Sequence, residues 1–333
     1  MGKLNNDTAQ HGLNREKVNR YMKILFYGAG VIGQIYAAKL FEIGIETTLL
    51  ARGENYQNLK NNGVTIHNVQ TQEEINVNIP ITVEFKDTDT YDLIIVTVRL
   101  DQLESIRTSL ANNTNCKTIL FMLNNPIGME TLDMDFPDKK IILGFPGIGG
   151  TRQENQINYV QIKEQKTTLG DYNGNISEFT KKLKVTFEKA GLEVVIEKKM
   201  NAWLIVHAVF IASASAAIAL ENGDSRQLGK NKKSVENMVQ SIREGFKACK
   251  SLGLPIIPKN LKTIFLTMPK WFSVLYWSRA MKGEIGTQSI APHANAARNE
   301  MQLLAKQVIQ ITAKSTIRTP TLSKLLSDYI NQK

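Results

Sequence analysis

The sequence predicts an α/β protein in which a doubly wound parallel sheet is followed by an all-helical domain. Strand-like and helix-like segments alternate through the first half of the 333 residues. From Met200 onward the sequence is almost wholly helical in character, with breaks at Pro255, Pro258, Pro269 and Pro320. A chain of this length suits two domains. Alternating strands and helices are typical of a parallel sheet covered on both faces.

The predicted strands are short apolar runs. Asp92–Val98 is a continuous β-branched run, typical of a central parallel strand. In chain order the sequence predicts a strand at 23–27, a helix at 31–43, and strands at 46–51, 75–83, 92–98, 118–123 and 141–145. Alternating stretches at 159–162 and 167–169 predict antiparallel strands, followed by a helix at 177–190 and a strand at 193–196. We therefore expect a polar extension at 1–21, a sheet domain at 22–198 and a helical domain at 199–333.

The composition indicates a protein of the reducing cytoplasm without a bound metal. Cys116 and Cys249 are the two cysteines, and neither has a CxxC or metal-ligand neighbour. Residues 1–21 lack the apolar core of a signal peptide. The net charge of +10 is dominated by lysines, without an arginine-rich or aromatic-interleaved stripe. This favours a solvated lysine-rich surface over a nucleic acid or phosphorylated partner.

One apolar run, Ala202–Leu220, approaches the length of a membrane span, about 20 residues. It is rich in alanine, lacks a flanking aromatic belt and stands alone in its sequence. We interpret it as a buried helix at a domain or subunit interface, with no membrane partner. A subunit interface there agrees with a homodimer, since dimers are the commonest oligomers.

The segment Gly28–Gly33 reads GAGVIG and fits the pattern GxGxxG. A strand precedes it, a helix follows, and a second strand begins about 20 residues later, as in a Rossmann-type dinucleotide site. Gly28 permits a tight turn, Gly30 lets the backbone approach a pyrophosphate, and Gly33 lets the helix pack closely on the sheet. Free N–H groups at the helix N-terminus face the phosphates. We predict that the site comprises Gly28, Ala29, Gly30, Val31, Ile32 and Gly33.

The end of the second predicted strand favours NADP over NAD. An NAD site usually carries an acidic residue there, which accepts hydrogen bonds from the ribose hydroxyls. Here the strand ends at Arg52, and the first acidic residue is Glu54. A guanidinium can pair with a 2′-phosphate through two hydrogen bonds. The alternative is a surface arginine without a ligand.

With these motifs, the sequence resembles the ketopantoate reductase family from Met22 to the C-terminus. Besides the glycine loop, the resemblance rests on LLAR ending at Arg52, DLIIVTVRLDQ at 92–102, LNNPIG at 123–128, AW at 202–203, RNEM at 298–301 and IRTP at 317–320. The resemblance implies a Rossmann-type domain, a helical C-terminal domain and a cleft between them. It also implies NADPH-dependent reduction of a small 2-keto acid, 2-dehydropantoate or a related carbonyl compound, in pantothenate biosynthesis.

The resemblance also implies roles for individual residues. Arg52 would bind the 2′-phosphate, and Arg99 and Gln102 would lie beside the cofactor. Asn125 would lie at the nicotinamide, and Glu300 would bind the substrate hydroxyl or order the active-site lysine. Glu284 ranks behind Glu300 as the acidic residue.

This sequence departs from the family at the proton donor. The family has a lysine two residues after the tryptophan that opens the long helix, and here that position is Ile205. The two asparagines that follow at helical spacing fall on Val209 and Ser213, and Pro126 replaces a glycine. Reducing a ketone requires a proton as well as a hydride. Ile205 cannot supply one.

Other residues are candidates for the missing chemistry. His293 lies seven residues before Glu300, which places both on one face if the helix is continuous; its alternative is a capping or surface role. His207 should face away from position 205, as a packed core histidine, because two residues turn a helix by about 200°. Ser213 and Ser289 could bind a substrate carboxylate or bond to their own helices. The segment Phe145–Gly150 is expected to border the cleft.

Two hypotheses follow for the function. In the first, the protein is an NADPH-dependent reductase of the ketopantoate reductase type, with Glu300, Asn125 and His293 as catalytic residues. In the second, it is a non-catalytic NADP(H)-binding protein or sensor that has lost its proton donor. The substitution Ile205→Lys separates them, since a decayed enzyme would gain activity and a reductase of another substrate would lose it.

Overall fold

A computed structural model describes residues 22–127, 132–162 and 165–332. The predicted N-terminal extension, 1–21, and Gly128 of the LNNPIG motif lie outside the described residues. The strands are β1 (Ile24–Tyr27), β2 (Thr47–Leu50), β3 (Val64–Asn68), β4 (Glu74–Val77), β5 (Ile81–Thr82), β6 (Leu93–Val96), β7 (Thr118–Met122), β8 (Lys140–Phe145), β9 (Ile148–Gln153), β10 (Gln156–Gln161), β11 (Thr167–Asp171) and β12 (Val194–Ile196).

Helices connect these strands and then form the C-terminal half. They are α1 (Val31–Glu42), α2 (Gly53–Asn62), α3 (Glu104–Asn112), α4 (Leu132–Asp135), α5 (Glu178–Lys189), α6 (Met200–Leu220), α7 (Ser225–Lys230), α8 (Lys232–Ser251), α9 (Lys259–Lys262), α10 (Lys270–Lys282), α11 (Ala291–Ala296), α12 (Arg298–Ala313) and α13 (Pro320–Ile330). A 3₁₀ turn covers Leu100–Gln102, and π-helical turns cover Thr263–Thr267 and Ile285–Ile290.

The main sheet has eight strands in the order β12-β11-β8-β7-β6-β1-β2-β5. Its pairs are parallel except for β8 with β11. The chain runs outward from β1 in both directions, so a switch point lies at β1, where open α/β sheets bind their ligands. The predicted fold class is confirmed.

A second, four-stranded sheet in the order β4-β3-β10-β9 is the main addition to the predicted fold. The predicted strand at 75–83 is divided between the two sheets, because its first part pairs with β3 and its last part pairs with β2. Strand β3 was not predicted at all. Strands β9 and β10 pair in antiparallel fashion, and β10 joins β3 in parallel.

Helix α6 is the central helix of the C-terminal half. Among the described residues it is the one helix long and apolar enough to cross a membrane, and 78% of its most apolar window is buried inside the protein. It contacts α8, α12 and α13, so its apolar composition serves a helical core, in agreement with the prediction of a buried helix. Its first turn also packs on the sheet through Met200, Trp203 and Leu204. We propose that the boundary between the two domains lies between residues 198 and 199, and that α6 packs on both domains.

The N-terminus of α13 is capped by a residue of another helix. Glu244 on α8 is 8% exposed, and its Oε2 accepts the backbone N–H groups of Thr321 at 2.8 Å and Leu322 at 3.1 Å. Its Oε1 accepts the Thr321 hydroxyl at 2.8 Å. The carboxylate thus binds donors that have no acceptor within their own helix.

We expect Glu244→Ala to lower the free energy of unfolding by about 2–3 kcal/mol, because buried donors lose their acceptor. Urea unfolding measures this change. The matched control is Glu236→Ala on the same helix, whose carboxylate lies 3.9 Å from Lys232 and should cost less than about 0.5 kcal/mol. Equal losses in the two variants would show that Glu244 does not act as a cap.

Candidate active site

A cavity of about 1240 Å³ opens where the parallel strands of the main sheet end and the helical half covers them. We call it the main cavity. Residues at the ends of five adjacent strands line it, namely Tyr27, Leu50, Thr97, Met122 and Phe145. Small-molecule sites usually occupy about 300–1000 Å³. The volume therefore suits a long ligand, or a cofactor together with a substrate.

The glycine loop forms one wall of the main cavity. Gly28 has φ +119°, which side chains rarely adopt. A Cβ on Gly33 would lie 2.0 Å from the Gly28 carbonyl oxygen and 2.7 Å from Thr97 Oγ1, so only glycine lets α1 approach the sheet this closely. At Gly30 nothing lies within 4 Å of a built Cβ, and the backbone there faces open space.

The first turn of α1 presents backbone donors to the main cavity. Val31 and Ile32 line the cavity, and N–H groups in the first turn of a helix have no acceptor within the helix. The Ala29 carbonyl holds the loop in place by accepting from Gln34 Nε2 at 2.7 Å, Asn55 Nδ2 at 2.9 Å and an Arg152 guanidinium nitrogen at 3.2 Å. This arrangement fits the pyrophosphate of a dinucleotide.

Three guanidinium groups line the main cavity near this loop. Arg52 donates to the Tyr27 hydroxyl at 3.2 Å, and Arg152 on β9 donates to Asn55 Oδ1 at 2.6 Å. Burial lowers the pKa of Arg152. Arg99 pairs with Asp101 at 3.4 Å, and its backbone N–H donates to Gln102 Oε1 at 3.3 Å.

Gln102 also lines the main cavity. Sequence reasoning missed Arg152, because the second sheet that positions it was not predicted. The one feature of the sequence that points to Arg152 is its position two residues after the glycine-rich segment at 145–150. Most residues of that segment line the cavity.

Glu300 links the two halves of the protein at the inner end of the main cavity. The residue is 4% exposed, and its Oε1 accepts from the Leu100 backbone N–H at 3.4 Å and from Asn124 Nδ2 at 3.5 Å. Its Oε2 makes no hydrogen bond to the described residues. Glu284 also lines the cavity, but it is exposed. The buried and tethered Glu300 is therefore the better-positioned carboxylate.

Two predicted site residues lie elsewhere. The expected substrate contact of Ser213 is not supported, because its hydroxyl is fully buried, lies 2.9 Å from the hydroxyl of Ser241 on α8 and does not line the main cavity. Asn125 is buried and is not among the lining residues, whereas its neighbour Asn124 lines the cavity and contacts Glu300. Its placement beside the nicotinamide is therefore not supported. Ser289 does line the cavity, from the second π-helical turn.

The expected single helix from His293 to Glu300 does not exist. Helix α11 ends at Ala296, and Ala297 breaks the helical geometry with φ −124° and ψ 40° before α12 begins. His293 and Glu300 nevertheless both line the main cavity. They are brought together by the turn between two helices instead of by helical spacing.

Helix α6 turns an unexpected face to the main cavity. Trp203, His207 and Phe210 line it, whereas Ile205 packs against the cores of the sheet and the helical half. Val209 and Ser213, at spacings of four from Ile205, are fully buried, whereas Ile205 itself is half-buried and does not line the main cavity. His207 does face away from position 205, as predicted, but that direction is the one that leads into the cavity.

His207 is a buried histidine without a hydrogen-bond partner among the described residues. It is 6% exposed, and its ring stacks on Trp203 at a centroid distance of 5.0 Å and lies 4.2 Å from the ring of Phe145. Burial, with a smaller contribution from the nearby charge of His293, lowers its pKa to about 3. The imidazole is therefore neutral near pH 7 and keeps one N–H donor for a ligand.

A metal site is not indicated. The described residues contain no group of three or more histidine, cysteine, aspartate or glutamate side chains that could hold a metal ion.

Known proteins with a similar sequence belong to a family of dinucleotide-dependent reductases, as the glycine loop and the sheet suggest. Residues 24–174 match the family model described as Ketopantoate reductase PanE/ApbA. A 2-dehydropantoate 2-reductase of Pyrococcus horikoshii is 26% identical over 256 residues, which are 74% of this chain and 80% of that protein.

Solved structures share the fold across nearly the whole chain. A 2-dehydropantoate 2-reductase from Geobacter metallireducens superposes with a TM-score of 0.76 at 16% identity, covering 93% of this chain and 99% of that one. A D-mandelate dehydrogenase in ternary complex with NADH and anilino(oxo)acetate superposes with a TM-score of 0.70 at 18% identity, covering 94% of this chain and 100% of that one.

The neutral state of His207 makes the stability depend on pH. Its pKa falls from 6.5 to about 3 on folding, so the unfolded state takes up more protons below pH 6.5 and stability decreases as the pH falls toward 3. We expect His207→Phe to remove roughly 2–3 kcal/mol of the stability difference between pH 7.5 and pH 4.5. Urea unfolding at the two pH values measures it. In the control, Ile211→Val, the loss should be equal at both pH values, and the same behaviour in His207→Phe would rule out a buried neutral imidazole.

Proposed function

We propose that the protein is an NADPH-dependent reductase of a 2-oxo acid, and the match of residues 24–174 to the ketopantoate reductase PanE/ApbA family model supports this. These relatives are oxidoreductases that interconvert C=O and CH–OH groups, and the protein is an enzyme of that class. The observation that carries the proposal is the single cavity in which the glycine loop, Arg52 and the Glu300 carboxylate meet.

The choice of NADPH rests on the residues that follow β2. Arg52 lies at the cavity wall where an NAD site would carry a carboxylate, and its guanidinium is held by the Tyr27 hydroxyl. Arg152 adds a second guanidinium on the same side of the glycine loop, through Asn55 and the Ala29 carbonyl. Two cations suit the extra phosphate of NADPH.

A bound NADPH supplies the hydride that reduces the substrate carbonyl carbon. As the C–H bond forms, the carbonyl π electrons move to oxygen, and this oxygen needs stabilisation and a proton. His207 donates its N–H to that oxygen as a neutral imidazole, which stabilises the developing negative charge. Glu300 accepts through Oε2 from the hydroxyl that forms on the product, while Leu100 and Asn124 hold Oε1.

The proton comes from His293 in this proposal. His293 is exposed at the cavity wall, so it can exchange protons with solvent, and its charge is close enough to lower the pKa of His207. An imidazolium there gives its proton to the substrate oxygen and is reprotonated from water. This arrangement makes a lysine at position 205 unnecessary, because residue 205 does not face the cavity.

Cofactor preference tests the role of Arg52. We expect Arg52→Gln to weaken NADPH binding at least about tenfold and to change NADH binding little, because only NADPH loses a charge-assisted contact. Calorimetric titration with both dinucleotides measures this difference. Arg318→Gln is the control, since Arg318 is exposed and lies outside the main cavity. Equal weakening of both dinucleotides would contradict the 2′-phosphate assignment.

Turnover tests the reductase itself. The wild-type protein should oxidise NADPH in the presence of 2-oxo acids, and His207→Phe should lower kcat by about 10²-fold while NADPH binding is retained. Ile205→Lys should not increase activity, because position 205 packs against the two cores and does not line the main cavity. A non-catalytic dinucleotide-binding protein would instead bind NADPH without turning over any 2-oxo acid. A gain of activity in Ile205→Lys would identify a decayed enzyme.

A further inference from the structure

A continuous wall of six aromatic rings lines the main cavity on the side of the helical half. It begins with Phe145 at the end of β8, which lies 5.2 Å from Trp203 and 4.2 Å from His207 between ring centroids. From His207 it continues to Phe210 at 6.3 Å. Phe210 lies 5.2 Å from Trp277 on α10, and Trp277 lies 5.4 Å from Tyr276. All six rings line the cavity.

This aromatic wall is separate from the phosphate-binding part of the cavity. Strand β8, which carries Phe145, is three strands away from β1 in the sheet, a distance of about 14 Å. The remaining rings come from α6 and α10, while the glycine loop follows β1. The pyrophosphate and ribose of a dinucleotide are polar and gain little from such a wall, whose rings suit a flat apolar group.

The wall also differs in chemistry from what a small hydroxylated acid would need. Flat rings gain most from contact with an apolar or aromatic group, through burial and through stacking. Within the wall, the imidazole of His207 supplies one polar group, and Ser289, His293 and Glu300 of the helical half also line the cavity.

A cation for a carboxylate lies on the same side of the cavity. Lys259, at the start of α9, lines the cavity beside Ile257 and Leu261. Among the described residues it forms no ion pair, and it is the one lysine or arginine of the helical half that lines the cavity. Lys166 also lines the cavity but is already paired with Glu193 at 2.7 Å.

We propose that the substrate is a 2-oxo acid with an aromatic side chain, which packs on the wall formed by Phe145, Trp203, His207, Phe210, Tyr276 and Trp277. This inference rests on the proposed reductase function and narrows its substrate class. The carboxylate faces Lys259 and the keto oxygen faces His207. The reaction consumes one hydride and one proton and yields the corresponding 2-hydroxy acid.

The test compares two substrates that differ by one phenyl ring. Phenylpyruvate should have a kcat/KM at least about tenfold above that of pyruvate, because the ring is buried against the wall. Phenylpyruvate should also exceed ketopantoate by a similar factor. Each is measured by NADPH oxidation with the full-length wild-type protein.

A pair of matched variants locates the effect at the wall. Phe210→Leu should reduce the preference for phenylpyruvate over pyruvate at least about threefold, since stacking is lost and apolar volume is largely kept. Phe246→Leu makes the same exchange at a ring that is fully buried in the helical core and does not line the cavity. It should leave the preference unchanged. If Phe210→Leu does not fold, the ratio of kcat/KM for phenylpyruvate to that for pyruvate in the wild-type protein tests the proposal by itself.

The outcomes separate this inference from the proposed function. Turnover of pyruvate or ketopantoate as good as that of phenylpyruvate overturns the aromatic substrate and leaves the reductase intact. If no 2-oxo acid supports NADPH oxidation, the proposed reductase function is wrong. Calorimetric titration of the NADP⁺-loaded protein with phenyllactate and with lactate then tests whether the wall binds an aromatic group. Phenyllactate binding at least about tenfold tighter supports the site, and equal or undetectable binding overturns it.

Discussion

The close approach of helix α1 to the sheet is the constraint on which the dinucleotide end of the site depends. With no side chain at Gly33, the helix lies against the Gly28 carbonyl and Thr97, where a Cβ would be 2.0 Å from the carbonyl oxygen. That contact aims the first turn of α1 at the carboxyl ends of β1 and β6. The open space at Gly30 and the guanidinium of Arg52 can serve a phosphate-bearing ligand because helix α1 begins there.

The substrate end of the site depends on which face helix α6 turns toward the sheet. Trp203 and Leu204 anchor the first turn of α6 in the core of the sheet half, and this fixes the helix rotation. Position 207 then faces the main cavity, positions 209 and 213 are buried, and the half-buried position 205 packs against both cores. A lysine at position 205 would therefore not reach the main cavity. A histidine on another face of the helix, His207, does reach it.

The sequence predicted the sheet, the glycine loop and the helical half because each has a local signal. The run Asp92–Val98 and the pattern of Gly28–Gly33 depend on neighbours close in the chain. The second sheet could not be predicted in the same way, since β3 pairs with β10 across about 90 residues of sequence. Arg152 became a site residue through such a distant pairing, and the break at Ala297 was hidden in a segment with helical periodicity throughout.

Two histidines with different exposure can divide the work that a single lysine does in a related site. A lysine ammonium both stabilises an oxyanion and donates a proton. Burial among Phe145 and Trp203 keeps His207 neutral, so it can donate a hydrogen bond but cannot carry the proton that the alkoxide needs. In the proposed reaction the exposed His293 supplies that proton, and its charge in turn disfavours a charge on His207. The same apolar rings that keep His207 neutral also form the surface on which an aromatic substrate would pack, so the proton chemistry and the substrate preference have one structural cause.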